Sequence, residues 1–193
     1  MQRYAESDVP TEYGTVKVVV FREASEQEHV ALVVGDVASS NGEGVLVRVH
    51  SECWTGEVLH SQKCDCREQL DHALRAIAAA GRGVVVYLRQ EGRGIGLGNK
   101  IRAYALQEKG VDTVDANRML GFGDDERTYD VAAAMLGDLG VRSVTLMTNN
   151  PKKMEGLRAH GVTVTARVPI AMEPNPHNAD YLAVKAKRMG HAL

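Results

Sequence analysis

The spacing of apolar residues changes once along this chain, and that change limits the folds open to it. Up to about residue 50 the apolar positions fall in short β-branched runs, Gly14–Phe21, Val30–Val34 and Val45–Val49, and Ser39–Gly44 reads as a turn or hairpin loop between two of them. Runs of this kind, bounded by Gly, Asn and Ser, read as strands. From about residue 68 the period lengthens to that of a helix. Glu68–Ala80, Asn99–Lys109 and Thr128–Leu139 have helical spacing and stop at Gly81, Gly110 and Gly140. A glycine just past the last periodic residue is a common helix end. Val84–Leu88, Ser143–Thr148 and Val162–Val168 are strands between them, and Asn178–Met189 is expected as a terminal helix. Asn150-Pro151 offers an N-cap followed by proline at the first helical position. The expectation is an α+β fold, a single domain over residues 1–193, with a β-rich N-terminal part followed by alternating helices and strands.

Composition excludes some functions. A chain of 193 residues with 44% hydrophobic and 25% charged residues is ordinary for a globular protein with one substantial core. The formal net charge is −2 and aromatics make up 5%, so neither a basic field nor a basic, aromatic-studded strand points to nucleic acid. No apolar run reaches the length of a membrane span, and MQRYAESDVP lacks the apolar core of a signal peptide. No nucleic-acid or membrane partner is expected, and a cytoplasmic location is.

All three cysteines, Cys53, Cys64 and Cys66, lie in the stretch HSECWTGEVLHSQKCDCR, spaced Cys-x10-Cys-x-Cys. Thiolates are soft ligands that suit zinc. Three protein ligands would leave a fourth position open for an activated water, as in catalytic zinc sites. Two other readings stay open on spacing alone: three buried thiols without metal, and a structural zinc completed by His50 or His60.

Three further segments carry candidate chemistry, the first and third where a strand ends and a helix begins, the second in a glycine-bearing loop. Arg89-Gln-Glu-Gly-Arg-Gly-Ile-Gly-Leu-Gly-Asn-Lys100 has glycines that let backbone approach a ligand, although its spacing fits neither a P-loop nor a dinucleotide fingerprint. Glu91 suits the donor edge of guanine and Arg93 a phosphate. Gly121-Phe-Gly-Asp-Asp-Glu-Arg127 ends in three carboxylates and an arginine, either a helix start complementing the dipole or a metal, base or phosphate site. Thr148-Asn-Asn-Pro-Lys-Lys153 stands where βα units bind ligands, and its lysines suit phosphate.

Taken together and in this order, these segments resemble GTP cyclohydrolase II, the zinc enzyme that opens GTP at the start of riboflavin synthesis. The resemblance runs from about Val9 to the C-terminus. It rests on Arg48-Val-His-Ser-Glu-Cys53, Cys64-Asp-Cys66, Arg89–Leu97, Asn99-Lys-Ile-Arg-Ala-Tyr104, Leu120-Gly-Phe122, Asp125-Glu-Arg127, Thr148–Lys153 and Arg167-Val-Pro169. It implies zinc on Cys53, Cys64 and Cys66. It places GTP against Arg48, Val49, His50, Ser51, Glu52, Gln69, Glu91, Gly92, Arg93, Thr113, Thr148 and Lys153. It makes Asp125 a proton acceptor, Arg127 a nucleophile on the α-phosphorus, and Tyr104 a neighbour of the guanine ring. It also implies Mg2+ with the triphosphate, a homodimer, and loss of formate and pyrophosphate from GTP. An arginine is effectively always protonated and so a poor nucleophile, and the residues alone favour Arg127 as a charge-stabilising clamp. The chain departs from the family pattern at Trp54 for Leu, Glu57 for Asp, Gln62-Lys63 for Leu-Arg and Arg67 for Gly. These departures keep open a paralogue that stops at the formylated intermediate or serves a specialised pathway. A non-catalytic GTP-binding protein with structural zinc is the further alternative.

Overall fold

A computed structural model describes residues 1–170, 172 and 175–178. The helix expected over Asn178–Met189 lies outside them, apart from Asn178 itself, which sits in a turn. Seven strands form one mixed sheet in the order β1-β2-β3-β5-β4-β6-β7. They are β1 (Gln2–Thr11), β2 (Gly14–Arg22), β3 (Glu28–Val34), β4 (Val45–Ser51), β5 (Gly83–Leu88), β6 (Ser143–Met147) and β7 (Thr163–Val168). β1, β2, β3 and β5 pair antiparallel, whereas β5, β4, β6 and β7 run parallel. Parallel neighbours need crossovers, and the helices supply them. These are α1 (Trp54–Glu57), α2 (Cys66–Ala80), α3 (Gly96–Gln107), α4 (Thr113–Met119), α5 (Asp130–Asp138) and α6 (Pro151–Ala159). The α+β arrangement expected from the sequence, strands first and then alternating elements, is the one present.

Alternation decides which face each residue meets. Val47 and Val49 of β4 join Val86, Leu88, Met135 and Leu136 of α5, and Leu157 of α6 in the larger core. On the opposite face Ala73 and Ile77 of α2 pack on Val85 and Met147. Arg48 and His50 alternate with the core valines of β4, yet both are buried. Two buried polar side chains on a central strand call for partners, and those partners make the site.

Ser39–Gly44 is a turn but not a hairpin. It holds a short 3-10 turn, Ser40–Gly42, and leads from β3 to β4, which lie on opposite sides of β5. Three elements had no expectation: the four-residue α1, β1 and α4. β1 is exposed along its length and is held by pairing to β2, so it carries no buried alternation. α4 is short, and its signal was Asp112, whose side chain accepts from the amides of Val114 and Asp115.

Candidate functional site

A cleft opens at the carboxyl ends of β4, β5 and β6. That is the edge where parallel sheets bind ligands. Its floor is β4, its walls the segments after β5 and β6 and the starts of α2 and α4.

One end is built from thiols. Cys53 precedes α1, while Cys64 and Cys66 flank Asp65 at the start of α2. The three Sγ atoms lie within 4.8 Å of one another, with Cys53 and Cys64 at 3.6 Å. Gly56 makes room for them, since a Cβ there would meet Cys64 Sγ at 2.9 Å and Cys53 Sγ at 3.2 Å. Lys100 on α3 donates to Cys53 Sγ at 3.1 Å and to Glu91 Oε1 at 2.8 Å. Burial opposes the charge on Lys100, but Cys53 and Glu91 outweigh it and hold it protonated. Hydrogen bonds from Cys64 and Cys66 hold the Cys53 thiol well below its usual range, with Lys100 assisting. The same bonding to Cys53 pushes Cys64 up to about 11 and Cys66 well above the ordinary thiol value. A metal ion bound here must displace the protons of Cys64 and Cys66. Neither candidate fourth ligand joins the group among the described residues: His60 is exposed, and no nitrogen of His50 falls in the cluster of ligand atoms that the three thiols form. Three converging soft ligands and a small-residue cradle fit a dication with an open coordination position.

Glu91 ties this end to the glycine loop. Its Oε2 accepts from the Trp54 amide at 2.6 Å, and its Oε1 accepts from Gly92 N at 2.6 Å as well as from Lys100. The loop then takes left-handed conformations at Gly92 and Arg93 before entering α3. Arg93 O accepts from Glu126 N at 3.0 Å, and a Cβ on Gly94 would sit 3.0 Å from the Glu126 carbonyl. This close approach docks the glycine loop on the Asp125–Arg127 segment.

The other end is cationic. Arg48 donates to Met147 O at 2.9 Å and to Gln69 Oε1 at 2.6 Å, and Gln69 donates to Asp65 Oδ2 at 2.6 Å. Burial draws Arg48 down to about 10. Lys153 donates to Val49 O at 2.8 Å and is held well below the usual lysine value, first by burial and then by Arg48 and Arg127. Asp125 grips Arg127 in a fork, Nε to Oδ1 at 2.7 Å and Nη2 to Oδ2 at 2.6 Å. Burial works against the Asp125 carboxylate, but the Arg127 bonds outweigh it and keep its pKa below the ordinary value. The Thr148 hydroxyl accepts from the Asn150 amide at 3.0 Å, and Asn150 caps α6 through Lys152 N.

The structure brings most of the sequence-derived residues to this one cleft. Arg48, His50, Ser51, Glu52, Gln69, Glu91, Gly92, Arg93, Tyr104, Thr113, Arg127, Thr148 and Lys153 line it with Cys53 and Cys66. Cys64 and Asp125 stand just behind, bonded to Cys53 and Arg127. The Val49 side chain turns into the core, and its contribution to the cleft is the carbonyl that holds Lys153. Sequence reasoning missed Lys100, Gln107, Asn117 and Asn149, which also line the cleft. Lys100 and Tyr104 are four apart on α3, so a helical face was the available signal.

The departures from the family pattern leave the thiols alone. Arg67 is the second residue of α2 and its φ is not positive, so an arginine costs nothing in backbone strain there. Lys63 lies 4.8 Å from the Tyr104 ring centre and 3.6 Å from Glu108. Trp54 is 42% exposed. No helix among the described residues is long and apolar enough to cross a membrane.

Comparison with known proteins gives one family. Residues 2–169 match a family model described as GTP cyclohydrolase II. A protein named GTP cyclohydrolase-2 from Actinobacillus succinogenes is 54% identical over 194 aligned positions, covering 100% of this chain and 88% of the relative. A protein of the same name from Haemophilus influenzae is also 54% identical, covering 100% and 89%. Riboflavin biosynthesis protein RibBA from Bacillus subtilis is 53% identical over 100% of this chain but only 48% of its own length.

Proposed function

The chain belongs to the GTP cyclohydrolase II family, and from that premise we propose that it hydrolyses GTP to a diaminopyrimidinone ribosylamine phosphate, formate and pyrophosphate in riboflavin biosynthesis. The observation that carries this reading is a single cleft with three converging thiols at one end and buried Arg48 and Lys153 with half-buried Arg127 at the other. A purine with a triphosphate has matching ends.

Cys53, Cys64 and Cys66 hold zinc in this reading, and zinc supplies Lewis acidity and an activated water for hydrolysis at C8 of guanine. Tyr104 borders the base. Arg48, Lys153 and Arg127 take the phosphates, which enter with Mg2+. Arg127 acts as a clamp rather than a nucleophile, because Asp125 already holds two of its nitrogens and a guanidinium is too weak an acid to give up its proton readily. Asp125 in turn is a weak proton acceptor while its two oxygens serve Arg127, and its part is to aim the clamp. One domain and a homodimer complete the reading.

Product masses from the zinc-loaded protein with GTP test it, with formate and pyrophosphate measured separately. Cys53→Ser should lose bound zinc and lower formate release by about a thousand-fold or more, the scale expected when a metal that generates the nucleophile is removed. Formate release that survives Cys53→Ser refutes the thiol end as the hydrolytic centre. Accumulation of a formylated, ring-opened nucleotide alone refutes the full reaction.

A further inference from the structure

We infer that Glu57 is a positioning residue that fixes one tautomer of His50, so that His50 Nδ1 accepts a hydrogen bond from an O–H or N–H group of the ligand. The second half rests on the nucleotide reading of the cleft; the first half does not.

Glu57 is a hub of three donors. Its Oε1 takes His50 Nε2 at 2.8 Å and the Cys53 amide at 3.0 Å, and its Oε2 takes the Tyr87 hydroxyl at 2.5 Å. A carboxylate can only accept, so the ring hydrogen of His50 must sit on Nε2. Nδ1 then carries a lone pair. That atom is buried and has no hydrogen-bond partner among the described residues, and the His50 ring, 2% exposed, lines the cleft.

The ring is held as well as polarised. His50 and Tyr87 are register partners on β4 and β5, and their rings stack with centroids 5.7 Å apart and planes 20° apart. A buried acceptor without a donor is costly, and a bound donor relieves that cost. An anion cannot be the partner, because the lone pair repels it, and Arg48 and Lys153 beside it serve anions already. In a nucleotide the remaining donors are the sugar hydroxyls and the base N–H groups. Glu57 and Tyr87 therefore act through His50, and they divide the cleft floor into anion-taking and donor-taking parts.

Long-range proton–nitrogen NMR on full-length, 15N-histidine-labelled, metal-stripped protein tests the tautomer, with His50 assigned by its loss in His50→Gln. The expected spectrum shows Nε2 protonated and Nδ1 bare. Glu57→Gln, whose amide can donate as well as accept, should mix the tautomers and weaken GTP binding about five-fold, roughly one neutral hydrogen bond. Glu57→Asp should retain the tautomer, and Tyr87→Phe should loosen it less than Glu57→Gln does. GTP should shift the Nδ1 resonance. Among 2′-deoxy, 3′-deoxy and N1-methyl GTP, the analogue lacking the donor should bind without shifting it. A protonated Nδ1 in the free protein, or a tautomer unchanged in Glu57→Gln, overturns the role of Glu57. GTP that binds without moving Nδ1 overturns the acceptor role. GTP that fails to bind at all overturns the nucleotide reading and leaves the tautomer result to decide the Glu57–His50 pairing.

Discussion

At the thiol end of the cleft Lys100 is bonded to both Cys53 and Glu91, whereas at the cationic end Asp125 is paired with Arg127 and Lys153 bonds a neutral carbonyl. Lys100 sits between Cys53 and Glu91, and three thiols can exchange protons for a dication. Arg48, Arg127 and Lys153 crowd together instead, with Asp125 committed to Arg127 and the hydrogen bond of Lys153 spent on a neutral carbonyl. The first end is close to neutral once metal replaces protons. The second holds buried positive charge that an anion would complete. In the proposed reading, such a site keeps its metal and turns over its nucleotide.

The largest effect that can break this contrast comes from Lys153→Met. If the cationic end lacks an anion, neutralising Lys153 should weaken GTP binding by about 10- to 100-fold, the range for a charge-assisted contact. It should also stabilise the free protein by about 1–3 kcal/mol, as removal of a poorly paired buried charge does. The pH dependence has a definite sign. Lys153 has a folded pKa below its unfolded one, so the burial penalty is full below the folded value and fades as pH rises toward about 10.5. Free-protein stability should rise through that window and flatten in Lys153→Met. GTP, which favours the protonated form, should bind more weakly over the same rise. Calorimetric binding and denaturant titration across pH measure both.

Gly56→Ala sharpens the contrast from the other side. Its Cβ would crowd Cys64 Sγ at 2.9 Å, so zinc affinity measured against a chelator should fall by about 10- to 100-fold, as for other disturbed ligand supports. GTP binding to the metal-free protein should stay within about two-fold, since the phosphate contacts lie elsewhere. An equal loss of both would show that the two ends are one unit. Trp54→Leu should do least. The bond from Trp54 to Glu91 is through its backbone amide, which the substitution keeps, so unfolding free energy should move by no more than about 0.5 kcal/mol.

Much of the fold was legible because burial and period coincide. β2 alternates buried and open residues, α2 stops at Gly81, and Asn150 caps α6 ahead of Pro151, each as the residues suggest. β1 was not legible, because it is a paired edge strand with no buried face to impose a pattern. The clustered thiols announced themselves through residue type and spacing. Lys100 and Glu57 did not, because a lysine inside an apolar helix face and a glutamate in a four-residue helix look like ordinary surface residues until the fold sets them against Cys53 and His50. Val49 shows the converse, a residue inside a site segment whose side chain belongs to the core.

Glu91 has a mechanical consequence. Its two oxygens bridge the amide next to Cys53 and the ammonium of Lys100, while its own backbone begins the glycine loop. The loop and the cysteine segment thus behave as one lever with Glu91 as its pivot. A loop that swings outward to let a ligand pass must pull on Cys53 or give up the Trp54 and Lys100 bonds. The glycine loop and the cysteine segment are therefore mechanically coupled through the Trp54 and Lys100 bonds of one carboxylate.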